Sequence, residues 1–298
     1  MTNEEKPAVG LQAPGPADDS PRQGSPGFAA VEILLGAYHG ALNPDFDAPA
    51  FRSALADPAA LAEGPAARVL LDRRNLVTVA SVPAGPSGPT DAVVKMFRVS
   101  GLKRFKTLLV PGKAARAWRG AFACRARAVP TPLPMAYLER RVRGFVVEGF
   151  YLSAYLPDAI EIRSLLRELP PDELGGLLAA LAKFLVFCHN EGILHRDLSD
   201  GNILVRSPRP GAYDLWLIDT NRIRVRRSIP VLVRLRNLVR LGIPAAYQDL
   251  FLRLYLGDSR ASRALFLWYR ANKAWYTGVI AFKRKLRLRR LAERLGIQ

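Results

Sequence analysis

Three polar residues near the middle of the chain have the types and the spacing that a catalytic site requires. Asp197 and Asn202 lie five positions apart in the stretch His-Arg-Asp-Leu-Ser-Asp-Gly-Asn, which leads into the apolar run 203–205. Asp219 directly follows a second apolar stretch, 213–218, which predicts a buried strand. An aspartate can accept a proton, and carboxylate and amide oxygens are hard ligands that suit Mg²⁺. We therefore expect a general base at Asp197 and a metal-binding pair at Asn202 and Asp219.

The same stretch resembles H-R-D-L-x-x-x-N, the catalytic-loop pattern of the protein-kinase fold. Asp219 then occupies the place of the aspartate in the kinase Asp-Phe-Gly motif. Phosphoryl transfer requires that the protein position the reacting groups in line and place cations around the phosphates. It requires little covalent chemistry from the protein. The pattern predicts an ATP-dependent kinase that uses Mg²⁺, with Asp197 orienting the acceptor hydroxyl.

The strands that precede this loop supply a candidate phosphate-binding lysine. The stretch 92–97 resembles V-A-I-K, and its single lysine, Lys95, is the predicted ligand of the α and β phosphates. A hairpin is predicted before it, but the turn lacks the G-x-G-x-x-G loop that covers the phosphates in protein kinases. Arg73 and Arg74 lie in this turn, where they either contact the phosphates or are simply solvated. The following stretch, 81–90, is predicted to be a long exposed loop.

The helix that should carry the glutamate partner of Lys95 has none. Its apolar periodicity places it at 113–127, but no Asp or Glu occurs between Asp91 and Glu139. The usual ion pair therefore cannot form from this helix. Two alternatives remain open, a different partner for Lys95, such as Asp219 itself, or an inactive pseudokinase.

Composition and charge narrow the class of partner. The 298 residues include 44 Lys plus Arg and 26 Asp plus Glu, a formal charge of +18, which favours anionic partners. We do not expect a nucleic-acid partner, because no recognition fold accompanies the charge. The N-terminus resembles no signal peptide, and the longest apolar segment is short and broken by Lys183, so a cytoplasmic protein is predicted. A basic helix predicted at 279–295 follows several aromatics, which suits either peripheral contact with an anionic membrane surface or a core with a solvated face.

The predicted fold class is α+β, with a small β-rich N-lobe and a shortened helical C-lobe. Residues 1–27 are rich in Pro, Gly, Ser and Asp and are predicted to be a disordered tail. The N-lobe is predicted over 28–155, beginning with a helical extension at 29–38 and 48–61, and the C-lobe over 156–298. The chain after Asp219 is short and lacks Ala-Pro-Glu, so we do not expect a docked polypeptide as the acceptor.

Several segments together resemble the bacterial lipopolysaccharide core kinases, the Kdo and heptose kinase family. They are 114–119 with 128–132, 192–205, 217–224 and 236–241. The resemblance implies ATP-dependent phosphorylation of a Kdo or heptose hydroxyl on the lipid A core, an anionic glycolipid at the inner face of the cytoplasmic membrane. It also implies Asp197 as base, Asn202 and Asp219 as metal ligands and Lys95 as phosphate ligand. A bacterial serine/threonine-type protein kinase, and a pseudokinase that binds a membrane surface or a partner, are the alternatives.

Overall fold

The computed structural model describes residues 30–85, 88–98 and 107–285. The tail predicted over 1–27 lies outside these residues. So does the last part of the basic helix predicted over 279–295, from residue 286 onward.

A seven-stranded antiparallel sheet forms the first lobe, with strand order β1-β2-β6-β7-β5-β4-β3. Two short helices pack on one face of this sheet, and a longer helix, α3, packs on β6 and β7. The strands are β1 Val31–Leu35, β2 Tyr38–Leu42, β3 Arg68–Asp72, β4 Asn75–Gly85, β5 Gly88–Arg98, β6 Pro134–Val142 and β7 Phe145–Ala154, and the helices are α1 Pro49–Leu55, α2 Pro58–Glu63 and α3 Lys113–Arg125.

The chain before the first predicted strand is not wholly helical. Helices α1 and α2 lie within the predicted helical region 48–61, but the helix predicted over 29–38 is wrong, because β1 and β2 form a hairpin there. Gly36 at φ +58° makes the turn, and β2 pairs along β6, so the hairpin extends the sheet and buries Ile33 and Leu42 in the core of this lobe. A β-carbon at Gly40 would lie 1.8 Å from the carbonyl oxygen of Tyr137, so this pairing needs glycine.

The hairpin between β4 and β5 is longer than predicted. Strand pairing continues from Asn75↔Phe97 to Val82↔Thr90 and resumes at Gly85↔Gly88. The long exposed loop predicted at 81–90 is therefore wrong. The side chains of Val82 and Ala84 are buried under the helices of this lobe, and their burial stabilises the extended strands despite the Pro and Gly residues nearby.

The second lobe is mainly helical. Its core surrounds the long helix α5, whose buried leucines and Cys188 pack against α7 and against Tyr269 of α8. Two small sheets, β11-β10-β8 and β12-β9, lie on the side that faces the first lobe. The elements are β8 Ile160–Glu161, α4 Ile162–Glu168, α5 Pro171–Asn190, β9 Ile193–His195, β10 Ile203–Arg209, β11 Ala212–Leu217, β12 Ile223–Val225, α6 Val231–Leu238, α7 Gln248–Leu256 and α8 Arg263–Lys285.

Helix α8 contains the aromatics that were expected to precede a basic helix. Tyr269 is fully buried, whereas Trp275 is 76% exposed, so the aromatics divide between the core and the surface. Lys273 ties the helix to the end of α6 by donating to the carbonyls of Val239 and Leu241, at 2.7 and 2.6 Å. Among the described residues, no helix combines the length and the apolar character needed to cross a bilayer.

The architecture is thus a mixed α+β fold with an antiparallel N-terminal lobe and a helical C-terminal lobe. The fold class predicted from the sequence is confirmed, and the catalytic loop lies between β9 and β10, at the junction of the lobes.

Candidate active site

His195 fixes the beginning of the catalytic loop through both ring nitrogens. Its Nδ1 accepts from the backbone N–H of Asp197 at 3.2 Å, so Nε2 carries the proton and donates to the carbonyl of Ile218 at 3.0 Å. Burial of the ring lowers the pKa of His195, against the opposing effects of its hydrogen bond to Ile218 and of nearby Asp219 and Asp197. A neutral His195 therefore fixes the backbone of the loop through these two hydrogen bonds.

Asn202 closes the loop. Its side-chain Nδ2 donates to the backbone carbonyl of Asp197 at 2.8 Å. Its backbone carbonyl accepts from the backbone N–H of Ile218 at 3.0 Å. The second bond places Asn202 beside the end of β11, where Asp219 follows. Because Nδ2 is used inside the loop, Oδ1 is the side-chain atom left for an external partner.

Asp219 is the ion-pair partner of Lys95. Lys95 Nζ lies 2.5 Å from Asp219 Oδ1, which also accepts from Asn221 Nδ2 at 2.9 Å. Burial acts to raise the pKa of Asp219, but the charge and hydrogen bond of Lys95 outweigh it, so the pKa lies below its usual value. The residue adopts φ +57°, a left-handed conformation that turns the chain sharply after β11. The missing helix glutamate left open whether Lys95 has a different partner, and the structure gives it one, Asp219.

Helix α3 has a different attachment to the site. Thr220 Oγ1 donates to the carbonyl of Ala117 at 2.7 Å, and a β-carbon at Gly120 would lie 2.1 Å from the carbonyl oxygen of Thr220. The helix backbone therefore packs directly on the segment that carries Asp219.

Glu139 of β6 is a buried carboxylate that serves the start of α3. Its side chain is nearly inaccessible and accepts from the backbone N–H of Ala115 at 3.2 Å. A carboxylate near a helix N-terminus satisfies a free N–H group and complements the helix dipole. The first acidic residue after Asp91 is thus used to cap α3.

The oxygens of Asn202 and Asp219 fit a magnesium ion chemically. Mg²⁺ is bound in kinases by one or two side-chain oxygens together with substrate phosphates and water, without an all-protein cage. The donor set here is one amide oxygen and one carboxylate that is already charged. The described part of the chain contains no cluster of three or more His, Cys, Asp or Glu residues suited to a metal.

A cavity of about 580 Å³, the interlobe pocket, lies between the two lobes. Its walls are largely apolar, with Val77 and Val93 on the sheet side and Leu204 and Ile218 on the other. Lys95, Asn202 and Asp219 line one end. Arg73 and Arg74 also line it, although both side chains are exposed. The remaining lining residues are Leu70, Leu71, Asn75, Ala117, Thr131, Pro132, Tyr151, Ser153, Ala154, Tyr155, Leu156, Ala159, Glu161, Gly201 and Thr220.

A second cavity of about 750 Å³, the cationic pocket, adjoins the first. Two carboxylates, Asp197 and Asp219, line it, and Arg74, Asn75 and Asp219 border both cavities. The cations that line it are Arg74, Lys113, Arg116, Arg119, Arg196, Arg222 and Arg224. Except for Arg74, our sequence reasoning gave none of these a role.

Asp197 is held by two arginines that sequence reasoning also missed. Arg240 forms an ion pair with Oδ1, and Arg222 Nε lies 3.4 Å from Oδ2. Arg222 follows Asp219 closely, but Arg240 lies beyond α6. The only signal for these residues was their presence in the segments that carry the family resemblance.

The catalytic loop, the Lys95–Asp219 pair and the two-lobed fold define a phosphotransferase of the protein-kinase-like class. Residues 103–248 match the model of the lipopolysaccharide kinase (Kdo/WaaP) family. The match covers 146 of the 298 residues, just under half of the chain, and confirms the resemblance noted in the sequence. Members of that family are kinases that act on sugar hydroxyls.

Comparisons with solved structures and with curated proteins add little to the family match. A solved structure described as "WaaP in complex with acyl carrier protein" is similar at 20% identity with a TM-score of 0.49, covering 70% of this chain and 87% of that one. No curated protein matches the sequence.

Proposed function

We propose that the protein transfers the γ-phosphate of Mg·ATP to a sugar hydroxyl, of Kdo or heptose, on the lipopolysaccharide core. One observation carries this proposal. Lys95 and Asn202 border only the interlobe pocket, Asp197 borders only the cationic pocket, and Asp219 borders both. A donor in the first cavity and an acceptor in the second would meet at Asp219.

The interlobe pocket supplies what ATP needs. The adenine would lie between the valines of β4 and β5 and Leu204, next to the backbone at Tyr155 and Leu156. Lys95 would contact the α and β phosphates, since the lysine is fixed at the phosphate end by Asp219. In place of a glycine-rich loop, Arg73 and Arg74 offer guanidinium groups from the β3–β4 turn.

On the acceptor side, Asp197 accepts the hydroxyl proton as the new oxygen–phosphorus bond forms and the bond to ADP breaks. Arg222 and Arg240 hold its carboxylate in a fixed direction, which orients the attacking oxygen. Asn202 and Asp219 would hold Mg²⁺, which neutralises charge on the transferred phosphate when it is bound.

A glycolipid acceptor brings the enzyme to an anionic membrane surface, and helix α8 fits such a contact. Leu267, Trp275 and Phe282 share one helix face at 64%, 76% and 60% exposure, on a chain with a formal charge of +18. We expect sedimentation with phosphatidylglycerol vesicles but not with phosphatidylcholine vesicles, and a loss of sedimentation in Trp275→Ser.

The reaction is tested with the purified full-length protein, Mg·ATP and core acceptors lacking one phosphate. Mass spectrometry should show one added phosphate with the wild type and none with Asp197→Asn, while Arg236→Gln on the exposed surface of α6 should behave as wild type. Labelling of added proteins without labelling of any core acceptor would favour a protein kinase. The absence of any thermal stabilisation by millimolar Mg·ATP would favour a pseudokinase.

A further inference from the structure

The cationic pocket holds more positive charge than the transfer step requires. Of its cations, Arg116, Arg119, Arg196 and Arg224 form no ion pair within the described part of the chain. Arg116 is partly buried in α3, and its Nε has no hydrogen-bond partner among the described residues. A guanidinium group without an ion pair can offer its terminal N–H groups to an anion, so these arginines are available to a carboxylate or phosphate from outside the chain.

The arginines also act on one another. Burial lowers the pKa of Arg116, and the charges of Arg222 and Arg224 lower it further, against a smaller opposing effect of Glu139. The side chains of Arg116, Arg222 and Arg224 line the same cavity, at a place where α3 packs on the segment 220–225, so their like charges oppose one another. Such an arrangement destabilises the empty protein and favours the binding of an anion.

We propose that Arg116, Arg222 and Arg224 form a subsite that binds an acidic group, carboxylate or phosphate, of the acceptor sugar. The inference rests on the proposed function and deepens it, since it assigns the side chains that recognise an acidic group of the acceptor. The subsite lies in the cavity that Asp197 lines, and Arg222 contacts both this cavity and Asp197. An acidic group bound there holds the neighbouring hydroxyl near the base.

The subsite also accounts for the missing carboxylates of α3. An acidic residue on the face that carries Arg116 would pair with the arginines and compete with the acceptor. Lys95 does not need such a residue, because Asp219 is its partner. The departure from the protein-kinase pattern is therefore a feature of acceptor recognition.

The first test measures anion binding directly. The full-length protein is saturated with Mg²⁺ and a non-hydrolysable ATP analogue, and inorganic phosphate is titrated by calorimetry. Arg116→Gln and Arg224→Gln should each weaken phosphate binding at least fivefold, while Arg236→Gln, which removes one exposed charge on α6, should leave it unchanged. Equal phosphate affinity in all four proteins would overturn the subsite.

The second test measures specificity by kinetics. Core acceptors are compared with the sugar carboxylate intact or reduced to the alcohol, and with the neighbouring phosphates present or removed. The wild type should prefer one acidic form at least tenfold in kcat/KM, which also shows whether carboxylate or phosphate is recognised. Arg116→Gln and Arg224→Gln should lose this preference through a higher acceptor KM, with the KM for ATP unchanged.

The outcomes separate the two proposals. Transfer by the wild type with equal efficiency on acidic and neutral acceptors would leave the kinase proposal intact and overturn the subsite. Phosphate binding that depends on Arg116 and Arg224, without transfer to any core acceptor, would support the subsite and refute the proposed reaction.

Discussion

The two cavities that meet at Asp219 differ in the side chains that line them. The interlobe pocket has largely apolar walls from strands on both sides, and its lysine is paired with Asp219. The cationic pocket is lined by seven cationic side chains, several of them without an ion pair among the described residues. The first is suited to a flat base recognised by backbone and shape, the second to a charged group recognised by guanidinium forks.

The contrast shows where this chain keeps the kinase pattern and where it departs from it. The loop from His195 to Asn202, Lys95 and Asp219 follow the pattern, and Lys95, Asn202 and Asp219 line the interlobe pocket. The departures, an α3 without carboxylates and a run of arginines after Asp219, lie on the cationic pocket. The proposed nucleotide side therefore follows the protein-kinase pattern, and the proposed acceptor side departs from it.

Asp219 belongs to both cavities, so its substitution should have the largest effect. Asp219→Asn keeps the shape of the side chain but removes the charge that pairs with Lys95 and that would hold the metal. We expect kcat to fall about 10³-fold, as for loss of one preorganised charged group. Phosphate-transfer rates at saturating substrates are the measurement.

The matched control is Asp214→Asn on β11, the strand that precedes Asp219, because among the described residues Asp214 pairs with Arg206 alone, on the surface. It should leave kcat within twofold. A kcat for Asp219→Asn within tenfold of the wild type would contradict the view that both cavities depend on this carboxylate.

The catalytic loop borders both cavities and is supported by a chain of hydrogen bonds that begins at the buried His189. Because His189 is neutral in this chain, we expect the stability of the fold to decrease in acid. His189 Nδ1 accepts from Tyr255, Nε2 donates to Asn237, and Asn237 Nδ2 donates to the carbonyl of His195. Burial lowers the pKa of His189 from 6.5 to about 4. Between these values the unfolded chain binds more protons, so the free energy of unfolding decreases as pH falls from 6.5 to 4, by roughly 3 kcal/mol from this group.

Urea unfolding between pH 7 and 4 measures this loss. His189→Gln should be less stable at pH 7 but should show a shallower decline over the same window, because one titrating group is gone. An equal decline in the two proteins would mean that other groups cause the acid sensitivity, and that His189 does not support the loop.

The sequence indicated the residues that follow the kinase pattern, but it did not indicate the arginines of the cationic pocket, and the reason is physical. The loop residues Asp197 and Asn202 are local in sequence, and Lys95 and Asp219 are each identified by an apolar strand that precedes them. The Asp197–Arg240 pair and the cavity that Arg116 and Arg222 both line join distant segments, and no periodicity within one element indicates them.

The errors in the fold have the same origin. The stretch 29–38 carries an apolar pattern compatible with a helix, but pairing with β6 decides in favour of strands. Pro and Gly at 81–90 predicted a loop, and burial of Val82 and Ala84 against α1 and α2 decides otherwise. In both cases tertiary contacts outweigh local propensity.

The contact between α3 and Thr220 separates the two cavities, and substitution of Gly120 tests the importance of this contact. In Gly120→Ala the new β-carbon would lie 2.1 Å from a backbone oxygen, so α3 or the segment after Asp219 must shift. We expect a loss of about 2 kcal/mol in stability, typical of overpacking, and a lower kcat because Asp219 moves with Thr220. Gly175→Ala on α5, where a β-carbon meets nothing within 4 Å, is the control and should be neutral or stabilising. An unchanged kcat in Gly120→Ala would show that α3 does not position Asp219.

The smallest expected effect is on ligand affinity, and it tests directly whether the two cavities bind separate ligands. One substitution in each cavity should weaken the binding of one ligand and leave the other unchanged. Leu204→Ala removes an apolar side chain from the wall of the interlobe pocket and should weaken Mg·ATP binding about tenfold, which is about 1.4 kcal/mol. It should leave phosphate binding in the cationic pocket unchanged, since Leu204 does not line that cavity. Arg224→Gln should show the reverse pattern. Calorimetric titration of each variant with each ligand gives four affinities, and a loss of both ligands in either variant would mean that the two cavities bind as one site.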